Sequence, residues 1–491
     1  MGEGRSLDAL AARIPGARRS GPDAIVTDVT HDSRGAGPGA LFVAVRGATT
    51  DGHRFVEQAV AAGAAAVAVE GAAPAGVPAL VVPDTRRALA LLAAEVHGHP
   101  SRHLEVVGVT GTNGKTTVTH LLESVLEAAG RRVGIVGTVG ARIAGESVPL
   151  ARTTPEASDL QRLLARMVRA QVDVAAIEVS SHALALHRVD AVELAVAAFT
   201  NLTQDHLDFH GDMARYREAK LRLFAAGRAR HAVVFVEDPT GAELAARTTL
   251  PVTTVGLATG DVTCRGLEAT ASGSRFRIVV DGRPGPLVTF PLPGRFNVAN
   301  ALVVAAIALT LGVPRDVVAR GLAEAAPVPG RFERVEAGQP FTVVVDYAHT
   351  PDAISRVVAA AREFTTGRVV VVVGAGGDRD RRKRAPMGVA AAAADLVIIT
   401  SDNPRSEDPL ELVAAVAAGA RRVPGAEIVE EPDRRLAIRR AVRAVGRGDV
   451  VLILGKGHEQ GQEIAGVTRP FDDRRVAAEE LAAAGIGEET R

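Results

Sequence analysis

Tryptophan is missing from this 491-residue chain, cysteine occurs once and tyrosine twice. The single cysteine, Cys264, excludes an internal disulfide framework and fits a reducing compartment. One cysteine and scattered histidines also do not make the ligand set of a structural zinc centre. The lack of tryptophan accompanies an excess of Ala, Val, Arg and Gly and follows genome composition more than function. Net charge is missing too: 57 Lys and Arg balance 57 Asp and Glu. No overall field therefore draws the chain to nucleic acid or anionic lipid, although local clusters can still hold phosphates. The longest apolar run, Ala301 to Val313, falls short of the roughly 20 residues needed to span a bilayer. Met1 to Leu10 carries charges and no stretch of signal-peptide type. These absences predict a cytoplasmic protein with no nucleic-acid partner and no membrane span, expected to be a monomer. At this length it should form about three domains.

The most informative segment present is Gly108-Val109-Thr110-Gly111-Thr112-Asn113-Gly114-Lys115-Thr116-Thr117. Apolar Leu104, Val106, Val107 and Val109 lead in as a buried strand, and Thr116 to Gly130 reads as a helix. Between them Gly111 and Gly114 let the backbone curl so that its N–H groups face an anion. Lys115 would reach the outer phosphates of a nucleoside triphosphate, and the Thr116 hydroxyl would sit on Mg²⁺. The general pattern places its first glycine where Val109 stands; here Gly108 is one residue early.

The fold class is α/β. From Thr27 to about Arg102, short apolar strands such as Leu41 to Val45 and Ala79 to Val82 alternate with alanine-rich helices such as Arg54 to Ala62. The alternation restarts at Leu104 and runs through Val133 to Val136, Val174 to Val179 and Ala232 to Val236, implying a mostly parallel sheet covered by helices. Val262 to Leu267 and Arg275 to Val280 read as appended antiparallel strands, followed by a helix near Asn297 to Leu311. Ala326-Pro327-Val328-Pro329-Gly330-Arg331 reads as a linker. A third alternation follows, with buried-strand candidates at Phe341 to Asp346, Val369 to Val373, Leu396 to Thr400 and Val450 to Leu454. The resulting division is 1–102, 103–330 and 331–491.

Several polar motifs fall at the carboxyl ends of these strands, where open α/β sheets bind ligands. Glu178, in Glu178-Val179-Ser180-Ser181-His182, ends a buried strand beside the phosphate loop and is placed to hold Mg²⁺; helix capping is the alternative. Thr200 to Gly211 is dense in polar groups, consistent with a site or a turn. Gly374-Ala375-Gly376-Gly377 invites a dinucleotide reading but lacks the third glycine in register, and Asp378 to Arg382 follows where a helix should open; NAD is excluded.

These segments, together with Gly294-Arg295-Phe296-Asn297, Asp346-Tyr347-Ala348-His349-Thr350-Pro351 and Gly455-Lys456-Gly457-His458-Glu459, occur in the order seen in the Mur ligases. The chain resembles that family over nearly its whole length, and Val109 in place of a first glycine looks like a trait of the family's loop. The resemblance implies a uridine-nucleotide domain, a central P-loop ATPase domain and a carboxyl-terminal Rossmann-like domain for an incoming amino acid. It implies an ATP- and Mg²⁺-dependent ligase that joins meso-2,6-diaminopimelate to UDP-N-acetylmuramoyl-L-alanyl-D-glutamate through an acyl phosphate.

By resemblance, Glu178 and His206 help bind metal, and Lys220 matches a lysine that is carbamylated in the family; read without it, Lys220 is an ordinary surface lysine on a helix. Asn297 goes to the adenine side, Arg331 to the phosphates and Asp346 to the ribose. Asp32-Ser33-Arg34, Asp51-Gly52-His53, Thr153, Thr154, Ser180 and Arg188 look like contacts of the uridine nucleotide and its dipeptide. The family often carries glutamine where Leu186 stands, so one polar contact is in question. Amino-acid choice falls to Asp402, Asn403, Pro404 and Arg405, with Arg379, Gly455 and Glu459. An arginine can pair the second carboxylate, which diaminopimelate has and lysine lacks. The alternatives are a lysine-adding ligase on the same fold, folylpolyglutamate synthase, and a regulatory P-loop ATPase needing no muramoyl nucleotide.

Overall fold

The computed structural model describes residues 4–47, 50–270 and 272–484. The first three residues of the amino-terminal stretch and the last seven of the chain therefore lie outside it. Three main sheets follow one another along the chain. In the first, Asp28–Thr30, Ala40–Val43, Ala66–Val69 and Ala79–Val81 run parallel and Arg18–Ser20 closes one edge antiparallel. The predicted helix at Arg54 to Ala62 opens as a 3-10 turn, Gly52–Phe55, before its α-helical part Val56–Ala61.

The central sheet has eleven strands. Its middle is parallel, in the spatial order Val133–Gly137, Val174–Glu178, Glu105–Thr110, Leu194–Phe199, Ala229–Phe235, Val252–Val255. Valines 106, 107 and 109 are fully enclosed. The helix Lys115–Ala128 follows the phosphate loop and buries Val118, Leu121, Leu122 and Val125, the i, i+3, i+4, i+7 stripe of a core-facing helix. Arg295–Thr310 is apolar nearly all round and sits inside the same core. The two expected antiparallel strands are present as Val262–Thr270 and Gly273–Val280, joined by a third, Arg283–Phe290.

The third sheet orders Thr342–Asp346, Val450–Leu454, Val369–Val373, Leu396–Ile399 and Glu427–Glu430 in parallel, with Glu333–Arg334 antiparallel at one edge. Its helices cover both faces. Among the described residues no helix is long and apolar enough to cross a membrane.

Among the features not expected from the sequence, four are peripheral: the hairpin Gly140–Ile143 with Glu146–Val148, the strands Arg283–Phe290 and Glu427–Glu430, and the hairpin Gly461–Ile464 with Val467–Pro470; Val252–Val255, inside the central sheet, was not expected either. The four peripheral ones lie at or outside sheet edges. There one face meets water, and a proline such as Pro284 needs no ladder partner on its free side.

Candidate active site

The polar segments found in the sequence converge at the carboxyl ends of the central and third sheets, in a cleft between them. One wall is the phosphate loop. Gly111 and Gly114 take φ values of +152° and +90°, and a Cβ on Gly111 would lie 1.9 Å from Thr200 Oγ1. The loop is pinned from behind: Thr200 Oγ1 and Asn201 Nδ2 donate to the Asn113 carbonyl, at 2.6 and 3.1 Å. The Asn113 N–H donates to Asn201 Oδ1, and Thr112 Oγ1 is bonded to Thr203 and the Tyr216 hydroxyl. Lys115 Nζ donates to the carbonyls of Gly111 and Thr112. Burial lowers its pKa, with Glu178 opposing and Arg331 adding to the shift. Thr117, one residue into the helix, is buried beneath the loop.

Glu178 is buried at the end of its strand, not capping a helix. It accepts from Thr116 Oγ1 at 3.0 Å, from the Thr138 N–H at 2.8 Å and from Thr138 Oγ1 at 2.9 Å. Arg331, from the linker, donates to the same Thr116 hydroxyl at 3.0 Å and stacks over the Tyr347 ring. The linker arginine is thus already inside the cleft and half-buried. Thr116 and Glu178 offer hard oxygen donors side by side, a set that fits a divalent cation of the Mg²⁺ type. Among the described residues no three His, Cys, Asp or Glu side chains stand at mutual metal-ligand spacing. His206 and Lys220 line the same cleft from other elements.

Lys220 corrects the reading made from residues alone. It is 1% exposed, donates to the Gly111 carbonyl at 2.7 Å and lies over the Tyr216 ring. Burial, with the nearby charge of Lys115, holds its amine well below the usual lysine range. His206 adopts a left-handed backbone, φ +54°, and stacks edge-on against His182. Its ring keeps an edge open to the cleft, yet the surrounding protein pushes its pKa down to about 3; Asp205 opposes the shift.

Asp205 was not singled out from the sequence. It is 5% exposed and faces Lys383 at 3.5 Å and His349 at 3.6 Å, both from the third sheet's loops. Burial alone would raise its pKa, but the His349 hydrogen bond and the Lys383 charge carry it well below the carboxylate range. A lone Asp in a polar run has no signal of this kind in sequence; only the fold brings Lys383 across.

At the far wall, Asn297 donates to the Pro293 carbonyl. Asp346 accepts from the Phe332 and Ala348 N–H groups, both at 2.7 Å, and burial raises its pKa. Asp346 thereby anchors the linker's exit as well as lining the cleft.

The residues expected to hold the dipeptide are packed together. Thr153 pairs with Thr138, and Thr154 Oγ1 donates to the Glu178 carbonyl at 2.7 Å. Ser180 Oγ accepts from the Ala183 N–H at the start of the helix Ser181–Ala185. Arg188 is buried and committed to Glu156 Oε1 at 2.7 Å and the Thr154 carbonyl at 3.1 Å. Arg86, of the first domain, holds the other Glu156 oxygen. Ser33 stands apart with the first sheet, donating to Gln58.

A second cluster lies beside the cleft. Asn403 Nδ2 donates to Glu459 at 2.8 Å, while its Oδ1 accepts from the buried Lys456 and from the Glu463 N–H. Arg405 has φ +53°, donates to the Gly377 carbonyl at 2.6 Å and lies 3.7 Å from Glu463. Its backbone is clasped by the 461–470 hairpin through Glu463 and Ala465. Gly455 closes on Asp402, where a Cβ would lie 2.4 Å from Oδ2. A Cβ on Gly377 would strike the Pro404 carbonyl, so this pair is equally tight. Among the described residues, the Arg379 side chain is bonded only to the Asp378 carbonyl.

A glycine loop between a buried strand and a helix, facing a buried carboxylate and an arginine from the segment before the third sheet, has the geometry of a P-loop nucleotide site. Family models match most of the chain: the Mur ligase family catalytic domain over residues 25–97, the Mur ligase middle domain over 109–308 and the Mur ligase glutamate ligase domain over 330–457. The chain belongs to the Mur ligase family, ATP-dependent enzymes that form amide bonds. It is 45% identical over 483 residues to the UDP-N-acetylmuramoyl-L-alanyl-D-glutamate–2,6-diaminopimelate ligase of Geobacillus thermodenitrificans, covering 96% of this chain and 98% of that one. The Streptomyces coelicolor protein of the same name is 47% identical over 468 residues, covering 93% and 92%. A solved structure of a ligase of that name superposes with a TM-score of 0.67 at 32% identity, over 94% of this chain and 96% of the other.

Proposed function

We propose that this enzyme adds meso-2,6-diaminopimelate to UDP-N-acetylmuramoyl-L-alanyl-D-glutamate at the expense of ATP, in the cytoplasmic stage of peptidoglycan synthesis, as a monomer. The observation that carries the reading is the pair of relatives bearing that name, each aligned over more than nine-tenths of this chain. In this reading residues 1–102 bind the uridine nucleotide with Ser33, 103–330 bind ATP, and 331–491 bind the amino acid.

A carboxylate is a poor electrophile. Transfer of the γ-phosphoryl group makes it an acyl phosphate, which the incoming amine attacks as phosphate leaves. Such a reaction calls for positioning and charge neutralisation more than for a nucleophilic side chain. Lys115 is poised to leave its own loop carbonyls for the outer phosphates, and Arg331 to follow the transferring group. The N–H groups of Gly111 to Thr117 cradle the phosphates, Asn297 borders the adenine and Asp346 the ribose. Thr116 and Glu178, with His206 and a carbamylated Lys220, would hold Mg²⁺, which supplies charge compensation for the phosphates. The depressed pKa of Lys220 favours the neutral amine that adds to CO₂, and the resulting carbamate is an oxygen ligand. Thr153, Thr154, Ser180 and Arg188 line the dipeptide side. Asp402, Asn403, Pro404, Arg405, Arg379, Gly455 and Glu459 receive the diaminopimelate.

The test is mass detection of product from the uridine-nucleotide dipeptide, ATP and single candidate amino acids. Diaminopimelate should give the tripeptide product. Lys115→Ala should fold yet lose nearly all ligation, because the lost charge is worth several kcal/mol, roughly, in the barrier. Product from lysine alone would move the assignment to the lysine-adding ligase; ATP hydrolysis without any product would point to a regulatory ATPase.

A further inference from the structure

Arg434 is the largest of the fully buried side chains, and none of the roles above uses it. It opens the helix Arg434–Arg443, whose N-cap is Asp433, and its guanidinium is bidentate on Asp473, with Nε and Nη2 each 2.7 Å from a carboxylate oxygen. Asp473 is itself wholly enclosed at the start of the last helix, Asp473–Ala483. The remaining donors go to two main-chain carbonyls: Nη2 to Leu454 at 3.0 Å and Nη1 to Ser401 at 3.4 Å.

Those carbonyls are specific in position. Leu454 immediately precedes Gly455, and Ser401 immediately precedes Asp402. The strands that deliver them, Val450–Leu454 and Leu396–Ile399, are not neighbours; Val369–Val373 lies between them. Sheet hydrogen bonds therefore do not tie one loop directly to the other. The two loops nevertheless converge so tightly that Gly455 has no room for a Cβ against Asp402, and Gly374, at the end of the strand between them, has none against Thr400 and Asp402. A bidentate guanidinium has the reach and the rigid fork to hold two such ends at a fixed spacing, which an ammonium does not.

We infer that the Arg434–Asp473 pair is a positioning unit that sets the separation of the Ser401–Arg405 and Gly455–Glu459 loops and, through it, the enzyme's selectivity among amino acids. The inference rests on the reading of those loops as the amino-acid site. It links the last helix to substrate choice, a connection nothing in the sequence motifs suggests. Asn403, Arg405 and Glu459 would touch the substrate; Arg434 acts only through the loops that carry them.

The test compares Arg434→Lys and the paired apolar replacement Arg434→Met/Asp473→Leu with the native enzyme, in steady-state kinetics with diaminopimelate, lysine, ATP and the uridine-nucleotide dipeptide, alongside thermal unfolding. The double variant is included because an apolar pair of similar volume often replaces a buried ion pair without loss of stability. KM for diaminopimelate should rise about tenfold to a hundredfold, and its advantage over lysine should shrink, while KM for ATP and the dipeptide stays within about twofold. Unchanged diaminopimelate KM and selectivity in either folded variant would overturn the inference, as would a uniform loss for all substrates that follows the unfolding temperature. Arg405→Ala run in parallel separates the two claims. If it raises diaminopimelate KM and the Arg434 variants do not, the brace is wrong and the site stands; if the Arg434 variants shift selectivity and Arg405→Ala does not, the brace stands and Arg405 is not the selector.

Discussion

Lys220 derives its chemistry from where it is buried. An amine sealed beneath the phosphate loop, held by one carbonyl and faced by the charge of Lys115, is driven toward its neutral form, the form that can take up CO₂. Lys220→Ala should therefore be largely inactive in product formation, and short-chain carboxylic acids should restore part of the activity by supplying the missing oxygen ligand. Lys220→Arg should stay inactive, since a guanidinium remains cationic; full turnover in that variant would remove the carbamate role. Arg405 offers a second test. A substrate carboxylate left without its partner costs several kcal/mol, so Arg405→Ala should lower kcat/KM for diaminopimelate on the order of a hundredfold or more. Its effect on the ATP and dipeptide KM should be small, and lysine should remain a poor substrate of the native enzyme. Kinetics with both amino acids decide this; an unchanged diaminopimelate efficiency would leave Arg405 without its role. At this scale the sequence was legible where motif and burial agree, as at Lys115, Thr116 and Glu178. It was not legible at Lys220, Asp205 or Arg434. The helix Met213–Leu221 is polar along most of its length and buries Tyr216, Ala219 and Lys220, an i, i+3, i+4 face; the spacing puts the lysine beside the tyrosine, but a lysine there reads from sequence as a chain whose ammonium reaches back to water.

Among the elements, the phosphate loop is the one whose geometry is most tightly determined. Gly111 is left-handed and in contact range of Thr200, whose hydroxyl holds the Asn113 carbonyl. Gly111→Ala would push Thr200 aside and unseat the loop, in addition to straining the backbone. It should destabilise the fold by about 1–3 kcal/mol and raise KM for ATP well beyond any effect on the amino acid. Gly425→Ala is the control, because its φ of +105° is also unfavourable but nothing lies within 4 Å of the added methyl. If ATP binding by Gly111→Ala matches that control, the close approach to Thr200 is unimportant. The strands that deliver this loop and its partners were legible because parallel strands buried on both faces read as continuous apolar runs, Val369–Val373 being all valine. The clasp on Arg405 was not. Its strands, Gly461–Ile464 and Val467–Pro470, are short, largely exposed and polar, and they are held by pairing with each other and with the Arg405 backbone more than by a core.

In the whole molecule, the central and third sheets meet through polar contacts: Asn113 with Asp352, Asp205 with Lys383 and His349, and Arg331 with Thr116. Two half-buried histidines lie at this junction. His120 lies beneath the linker prolines 327 and 329, accepting from Arg142, and burial with the Arg142 charge lowers its pKa to about 3. His458, from the third sheet, is lowered to about 4 by burial and by Arg331. Both fold in the neutral form, whereas an unfolded histidine titrates near 6.5. Between these values the unfolded chain binds more protons than the folded one, so stability rises with pH across that window and is lost as pH falls from about 6.5 toward 4. Asp205, held low by its partners, loses its contribution in the same direction but further into acid, while Asp346, raised by burial, opposes the trend. The native slope is therefore a sum, and a variant is needed to isolate one group. His120→Gln keeps an acceptor for Arg142 and removes the titration. Its unfolding free energy, measured by denaturant at intervals from pH 7 to about 4.5, should fall less steeply than that of the native chain, by up to one proton's worth of slope, about 1.4 kcal/mol per pH unit. The difference between the two should therefore shift in the variant's favour toward the acid end, where only the native chain bears the cost of keeping His120 neutral while its unfolded form takes up a proton. A parallel pair of curves would mean that His120 is protonated in the folded state as readily as in the unfolded one, and the junction would then have to be held by Asp205 and Lys383 without it.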